Sequence, residues 1–176
     1  MQALNLLVTC ARHFEEETKD EITSILNELG DESPEISMTE FSGIIFVNTS
    51  VAPKEAVKKI RQKIEDEPWS VRYTLRAIPI SAITKTDIPE IVTAALKEAK
   101  IIGPAETYRI TIEKRNSSVS SEELISQIAN GIENKVSLKK YDWIVLIEIL
   151  GGITGVSVLR DDDILSVERE KRGSLD

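Results

Sequence analysis

From Ala3 to Thr9 the chain is a short run rich in Leu, Val and Thr that ends at Cys10 and Ala11, the pattern of a buried strand. Behind it Thr18, Ile22, Ile25, Leu26 and Leu29 recur at helical spacing. Glu15, Glu16 and Glu17 load the first turn, where the helix dipole favours anions, and Gly30 stands where a helix stops. Asp31 to Pro34 is a turn. Ile36, Met38 and Phe41 open a second strand, and Gly43 separates it from the apolar Ile44 to Val47, so a hairpin is expected, closed by Asn48 to Ser50. Ser50 is placed to cap a second helix with Pro53 in its first turn. Val57, Ile60 and Ile64 give that helix one apolar face, and Lys54, Lys58, Lys59, Arg61 and Lys63 take much of the rest. From Trp69 to Ile80, Val71, Tyr73, Leu75 and Ala77 alternate with Arg72, Thr74, Arg76 and Ile78, a strand ended by Pro79 and Ser81. The order β-α-β-β-α-β is that of a ferredoxin-like domain, an antiparallel sheet with both helices on one face, and residues 1–80 are assigned to it.

Past Thr84 the periodicity starts again. Ile91, Val92, Ala95, Leu96 and Ala99 predict a helix over Ile88 to Ile101 that ends before Gly103 and Pro104. In the strand from Tyr108, Tyr108, Ile110 and Ile112 face one way and Arg109, Thr111, Glu113 and Arg115 the other. Ser120 to Glu123 has the capping-box form and leads a helix lined by Leu124, Ile125, Ile128, Ala129 and Ile132. Trp143 to Leu150 and Ile153 to Leu159 are apolar strands joined by Gly151 and Gly152, a two-residue hairpin turn. Asp161 to Asp163 and Glu168 to Arg172 read as a solvated end, partly disordered at the extreme terminus. Residues 81–176 therefore form a second, α/β domain, and the whole chain is α+β. There is no internal repeat.

The composition narrows the function. With 22 Lys plus Arg against 30 Asp plus Glu the formal charge is −8, so the chain cannot coat nucleic acid by net charge and needs a local basic patch to bind it. Apolar runs such as Trp143 to Ile147 are far shorter than a membrane span, and no signal-like segment opens the chain, which predicts a soluble, cytoplasmic protein. The single cysteine, Cys10, excludes an intramolecular disulfide and fits a reducing cytosol. His13 is the only histidine, and one imidazole with one distant thiol cannot build a zinc site; the run Asp161, Asp162 and Asp163 reads as a solvated turn, because consecutive residues on an extended chain point in alternating directions. No phosphate-cradling glycine loop and no nucleophile elbow occurs, so neither catalytic residue nor cofactor is expected.

What remains is basic side chains on polar loops. Lys114, Arg115, Asn116, Ser117 and Ser118 run into the helix that begins near Ser121, and two cations, an amide and hydroxyls beside free helix N–H groups match what phosphate and sugar contacts require. The bland account is a connecting loop whose Ser120 satisfies the helix, with Glu122 and Glu123 repelling an anion. Lys85, Lys135, Lys139 and Lys140 extend the patch, since residues 81–140 hold 9 Lys plus Arg against 8 Asp plus Glu, +1 where the whole chain is −8. The basic helix Lys54 to Lys63 is a rival patch that reads more simply as a solvated face. Trp69, Tyr73, Tyr108 and Trp143 lie at strand positions and read as core rather than as platforms for bases.

Several stretches together resemble the THUMP domain, and more closely the small THUMP proteins that serve as tRNA-binding adaptors for cytidine acetylation. They are RYTLRAIPIS from Arg72, YRITIEKRNSSVSSEELI from Tyr108, NKVSL from Asn134 and WIVLIEILGGITGVSVL from Trp143. The most specific pieces are R-x-x-P-I at Arg76 to Ile80, K-R-N-S at Lys114 to Ser117, and the order K-V-x-L, strand, G-x-S-V. The N-terminal unit is similar to the ferredoxin-like domain that precedes THUMP domains in that family. The resemblance implies a grip on the acceptor-stem end of structured tRNA, which the adaptors present to a separate RNA cytidine acetyltransferase that forms 4-acetylcytidine. Other THUMP proteins carry a thiouridine synthase, methyltransferase or deaminase domain on the same chain, and nothing of that size follows Leu159 here. Arg109, Lys114, Arg115, Asn116 and Ser118 are the first candidates for RNA contact, and Arg76, Lys85, Lys135, Lys139 and Lys140 the second. The rival reading is a ferredoxin-like regulatory module that binds a small anion or a protein partner.

Overall fold

Leu6, Leu7 and Val8 on β1 (Leu6–Cys10) are wholly buried, so the backbone polar groups of that strand can be satisfied only by neighbouring strands. They are, on both sides: β3 (Ile44–Asn48) and β4 (Thr74–Pro79) flank it antiparallel. β2 (Glu35–Met38) adds to β3 through the hairpin the sequence predicts, and Gly43, at φ 75, makes the close approach its turn requires, since a Cβ there would stand 2.5 Å from the Cys10 carbonyl oxygen. α1 (Glu15–Glu28) and α2 (Pro53–Asp66) bury Ile22, Leu26, Ile60 and Ile64 in one cluster with Leu6, Val8 and Cys10, so both helices cover one face of the sheet. The computed structural model describes residues 3–173, in two compact units, residues 1–79 with 163–176 and residues 80–162.

Four features of the first unit depart from the sequence reading. Ser50 does not cap α2, whose N-cap is Ala52. Its N–H is given instead to Asp31, a buried carboxylate that also accepts from the Thr49 hydroxyl at 2.6 Å. The alternation in β4 breaks at a bulge: Cys10 is opposite Thr74 and Thr9 opposite Arg76, so Leu75 is the extra residue and turns outward, exposed. Trp69, expected in the core, lies on a 3-10 turn (Pro68–Ser70) ahead of β4 and is 70% exposed.

The fourth departure is the C-terminal end. It is not a solvated tail of the second domain: β9 (Leu165–Ser166) pairs with the open side of β4, Leu165 opposite Ala77, and completes the sheet order β2-β3-β1-β4-β9. α5 (Val167–Gly173) packs on α2, with Leu165 and Val167 inside the first core and Glu170 paired to Arg61 at 2.9 Å. Without this return β4 would be an edge with unpaired backbone and an uncovered apolar flank. The extreme terminus lies outside the described residues.

In the second unit the sheet order is β5-β8-β7-β6. β7 (Trp143–Leu150) and β8 (Ile153–Leu159) form the expected hairpin, with Gly151 at φ 60 in its turn, and β6 (Tyr108–Arg115) joins β7 in parallel. β5 (Ala82–Lys85), too short to show a period, pairs antiparallel with β8. α3 (Ile88–Glu98) and α4 (Ser121–Asn130) bury Ile91, Ala95, Leu124 and Ile128 against Val145, Ile147 and Ile149, so they share one face of this sheet. No helix among the described residues is long and apolar enough to cross a membrane.

Candidate nucleic-acid interface

Strand alternation decides where the two leading cations go. Lys114 and Arg115 end β6 on opposite faces, and Asn116, at φ 53, supplies the bend that follows them. The bend does not bring both to the start of α4. Lys114 reaches it: its ammonium donates to the Val119 carbonyl at 2.8 Å, one residue before the capping Ser120, whose hydroxyl accepts from the Glu123 N–H at 3.2 Å. Arg115 leaves on the other face, where its guanidinium stands 4.0 Å from Glu148, a carboxylate 2% exposed at the centre of β7. Asn116 and Ser118 are exposed on the loop between.

Pairing then adds Lys85. Lys85 is in register with Ile153, Ile153 with Leu150 and Leu150 with Arg115, so one row crosses all four strands. Three strand spacings put the backbones of Lys85 and Arg115 about 14 Å apart on one face. Both stand at strand ends that lead into helices, Lys85 before α3 and Arg115 before α4. One end of the sheet thus carries Lys85, Lys114, Arg115, Asn116 and Ser118.

The other candidates are elsewhere. Lys135, Lys139 and Lys140 are exposed on the loop that lies along the start of β6, where Tyr108 N–H donates to the Lys135 carbonyl at 3.2 Å. Arg109 holds this loop, with Nη1 on the Leu138 carbonyl at 3.3 Å and its guanidinium 5.4 Å from the centre of the Tyr141 ring. Six strand steps, about 20 Å, separate Arg109 from Arg115. The predicted single patch is therefore two groups at opposite ends of β6. Arg76 is in the first unit, half-buried on β4 opposite Thr9.

Four of the five cations on the rival helix stand beside carboxylates, and the fifth, Lys59, is exposed. Lys54 pairs with Asp163 at 3.5 Å, Lys58 with Glu55 at 3.9 Å, Arg61 with Glu170 at 2.9 Å and Lys63 with Glu28 at 3.1 Å. Tyr108 and Trp143 are buried as expected, and His13 is exposed in the turn before α1 at φ 76. Asp161 accepts from the Tyr141 hydroxyl at 3.1 Å. Two site features escaped the sequence reading, Glu148 and Tyr141. The signal for the first was present, since Glu148 is the one charge inside the apolar run of β7, a position a carboxylate holds only with partners.

Residues 84–159, which run from the end of β5 to the end of β8, match the THUMP domain family. The second unit is a THUMP domain. Over 167 residues the chain is 28% identical to the human THUMP domain-containing protein 1, covering 84% of this chain and 47% of that protein. It is 28% identical over 131 residues to the Drosophila melanogaster homologue of that protein, covering 69% of this chain and 40% of the relative. The chain thus spans about half the length of these relatives or less. Solved structures share the fold of both units: PH1313 from Pyrococcus horikoshii Ot3 has a TM-score of 0.64 at 21% identity, covering 89% of this chain and 55% of that one. A 4-thiouridine synthetase solved in complex with RNA and bound ATP has a TM-score of 0.58 at 10% identity, covering 93% of this chain and 42% of that one. TrmN from Thermus thermophilus has 0.56 at 13%, covering 87% and 44%.

Proposed function

We propose that this chain binds structured tRNA through its THUMP domain and presents it to a separate RNA cytidine acetyltransferase for 4-acetylcytidine formation, itself supplying binding and no chemistry. The observation that carries the RNA part is the sheet end of the THUMP domain, where Lys85 and Arg115 share one face and Lys114 stands at the start of α4. Cations so placed can each meet a different phosphate of a folded RNA, and the exposed amide and hydroxyl of Asn116 and Ser118 suit sugar and phosphate oxygens. Two fold neighbours add support: one is a 4-thiouridine synthetase captured with RNA, the other TrmN. The adaptor role rests on the resemblance of the K-R-N-S and G-x-S-V stretches to the adaptor subfamily.

The test has two parts. Folded tRNA and a single strand of the same length are compared in a filter-binding assay, and equal affinity for the two overturns recognition of structure. The chain is then incubated with tRNA and acetyl-coenzyme A with no second protein; acetylcytidine formed under those conditions overturns the adaptor reading.

A further inference from the structure

Charge is divided unevenly between the two units. The first holds 12 Lys plus Arg against 18 Asp plus Glu, a net −6, and the THUMP unit 10 against 12, a net −2. Much of the excess lies on one face of α1, where Glu17, Asp20, Ser24 and Glu28 recur at helical spacing beside the buried Ile22 and Ile25. That face walls a groove of about 450 Å³ whose far side is Lys63 and the Ser70 to Tyr73 segment, with Ile25 in its floor. The far side is held in place by Glu21, whose carboxylate accepts the N–H groups of Arg72, Tyr73 and Thr74 and the Thr74 hydroxyl. Glu21 is thereby used, whereas Glu17 and Asp20 face the groove with no cation on them among the described residues.

Tyr73 lines the same groove, and two further aromatic side chains lie next to its lining residues. Trp69, next in the chain to Ser70, is 70% exposed, and Phe14, also exposed, stacks on Tyr73 with ring centroids 5.6 Å apart. An indole that large gains nothing from standing in water, and Trp is the side chain that most often anchors a protein interface. The groove already shows what it takes: Lys63 enters from α2 and its ammonium sits 3.1 Å from Glu28.

We infer that this groove of the first unit docks a Lys- and Arg-bearing segment of a protein partner, with ammonium or guanidinium groups on Glu17 and Asp20 and an apolar side chain against Trp69. The carboxylate walls turn RNA away from this face and select a basic chain, so RNA and protein are served by different units. From Glu17 to Glu28 the wall is about 16 Å long, three turns of a helical segment. The inference rests on the adaptor reading only for the partner's role; the groove itself is argued from the first unit alone.

The probe is a fluorescein-labelled helical peptide of about 12 residues, long enough to span the wall, with Lys on one face and Leu on the other. It is titrated into the full chain by anisotropy, beside a version with Glu for every Lys. The Lys peptide binds and the Glu peptide does not. Trp69→Ala and the triple variant Glu17→Lys, Asp20→Lys, Glu28→Lys each weaken binding by about tenfold or more. A control triple with the same charge change, Glu32→Lys, Glu35→Lys, Glu40→Lys, stays within about twofold. All seven side chains are exposed, and circular dichroism verifies folding. Equal losses from the two triples, no loss from Trp69→Ala, or no binding of the Lys peptide would overturn the inference. Self-association of the chain that Trp69→Ala abolishes would also overturn it, giving the groove to a second copy. The affinity of Trp69→Ala for folded tRNA is unchanged, and failure of the wild-type chain to bind tRNA overturns the RNA reading while leaving the peptide result intact.

Discussion

Replacing Leu165 by Ala tests how the chain closes its first domain. Leu165 is fully buried in the cluster that α1 and α2 make with β1, and it reaches that cluster only because β9 pairs with β4, Leu165 opposite Ala77. Truncating a buried leucine removes its transfer energy and leaves a cavity, together about 2–5 kcal/mol. Here the upper half of that range is expected, since Ala77, Ile60 and Ile64 are themselves fully buried on paired strand or helix backbone and cannot collapse inward. With a urea slope of about 1–3 kcal/mol per M for a small domain, a loss of about 4 kcal/mol lowers the midpoint by about 1.3–4 M. Urea titration followed by far-ultraviolet circular dichroism reads this against Leu138→Ala, which alters a side chain 67% exposed and is expected to stay within about 0.5 kcal/mol of wild type. Deleting residues 163–176 removes Val167 and the Arg61–Glu170 pair as well and is expected to cost more than Leu165→Ala. A loss under about 1 kcal/mol from Leu165→Ala would refute the return of the chain, because no site in a packed core loses a leucine at so small a cost.

Three further outcomes follow from the geometry. Lys85→Glu and Arg115→Gln are each expected to weaken tRNA binding by about 1–2 kcal/mol in a filter assay while Lys58→Glu changes it little; Gln is chosen at position 115 because a carboxylate there would face Glu148. If about four phosphates are contacted, log K should fall against log salt with a slope on the order of −3, and an affinity indifferent to salt would contradict phosphate contact. The hydroxyl of Thr49, aided by the N–H groups of Ser50 and Ser33, holds the Asp31 carboxyl below its ordinary value against the opposing effect of burial. Its contribution to stability is therefore complete above the unfolded pKa of about 3.9 and is lost as pH falls through the lower folded value. Asp31→Asn should flatten the stability profile below about pH 4, and an unchanged acid limb would show that Asp31 is not the group responsible.

The longer strands and the helices α1 to α4 were legible because each is a local pattern, whereas β5, β9 and α5 were too short to show one. Period two marks β6, period 3.6 marks α1 and α4, and Ser120 with Glu123 marks the start of α4 where the hydroxyl does accept the N–H. The THUMP stretches were legible for the same reason, being runs of neighbouring residues. Which residues cap, bulge or close an edge was not local. Ser50 looked like a cap until Asp31, 19 positions away, took its N–H, and Leu75 looked like core until the register with β1 slipped by one residue.

The sequence by itself determined which of the longer segments are strands or helices, which of their faces are apolar and which loops carry cations, because those follow from the order of side chains along a few turns of chain. Only the tertiary structure decided that Leu165 to Gly173 returns to the first domain, and that Lys85 joins Arg115 across four strands. Only the tertiary structure placed Arg109 and the lysines of the 135–140 loop at the far end of the same strand. The reason is that strands pair through backbone N–H and C=O groups, which every residue except proline offers alike, so register and sheet order are set by what the whole core can bury and not by any letter in the strand.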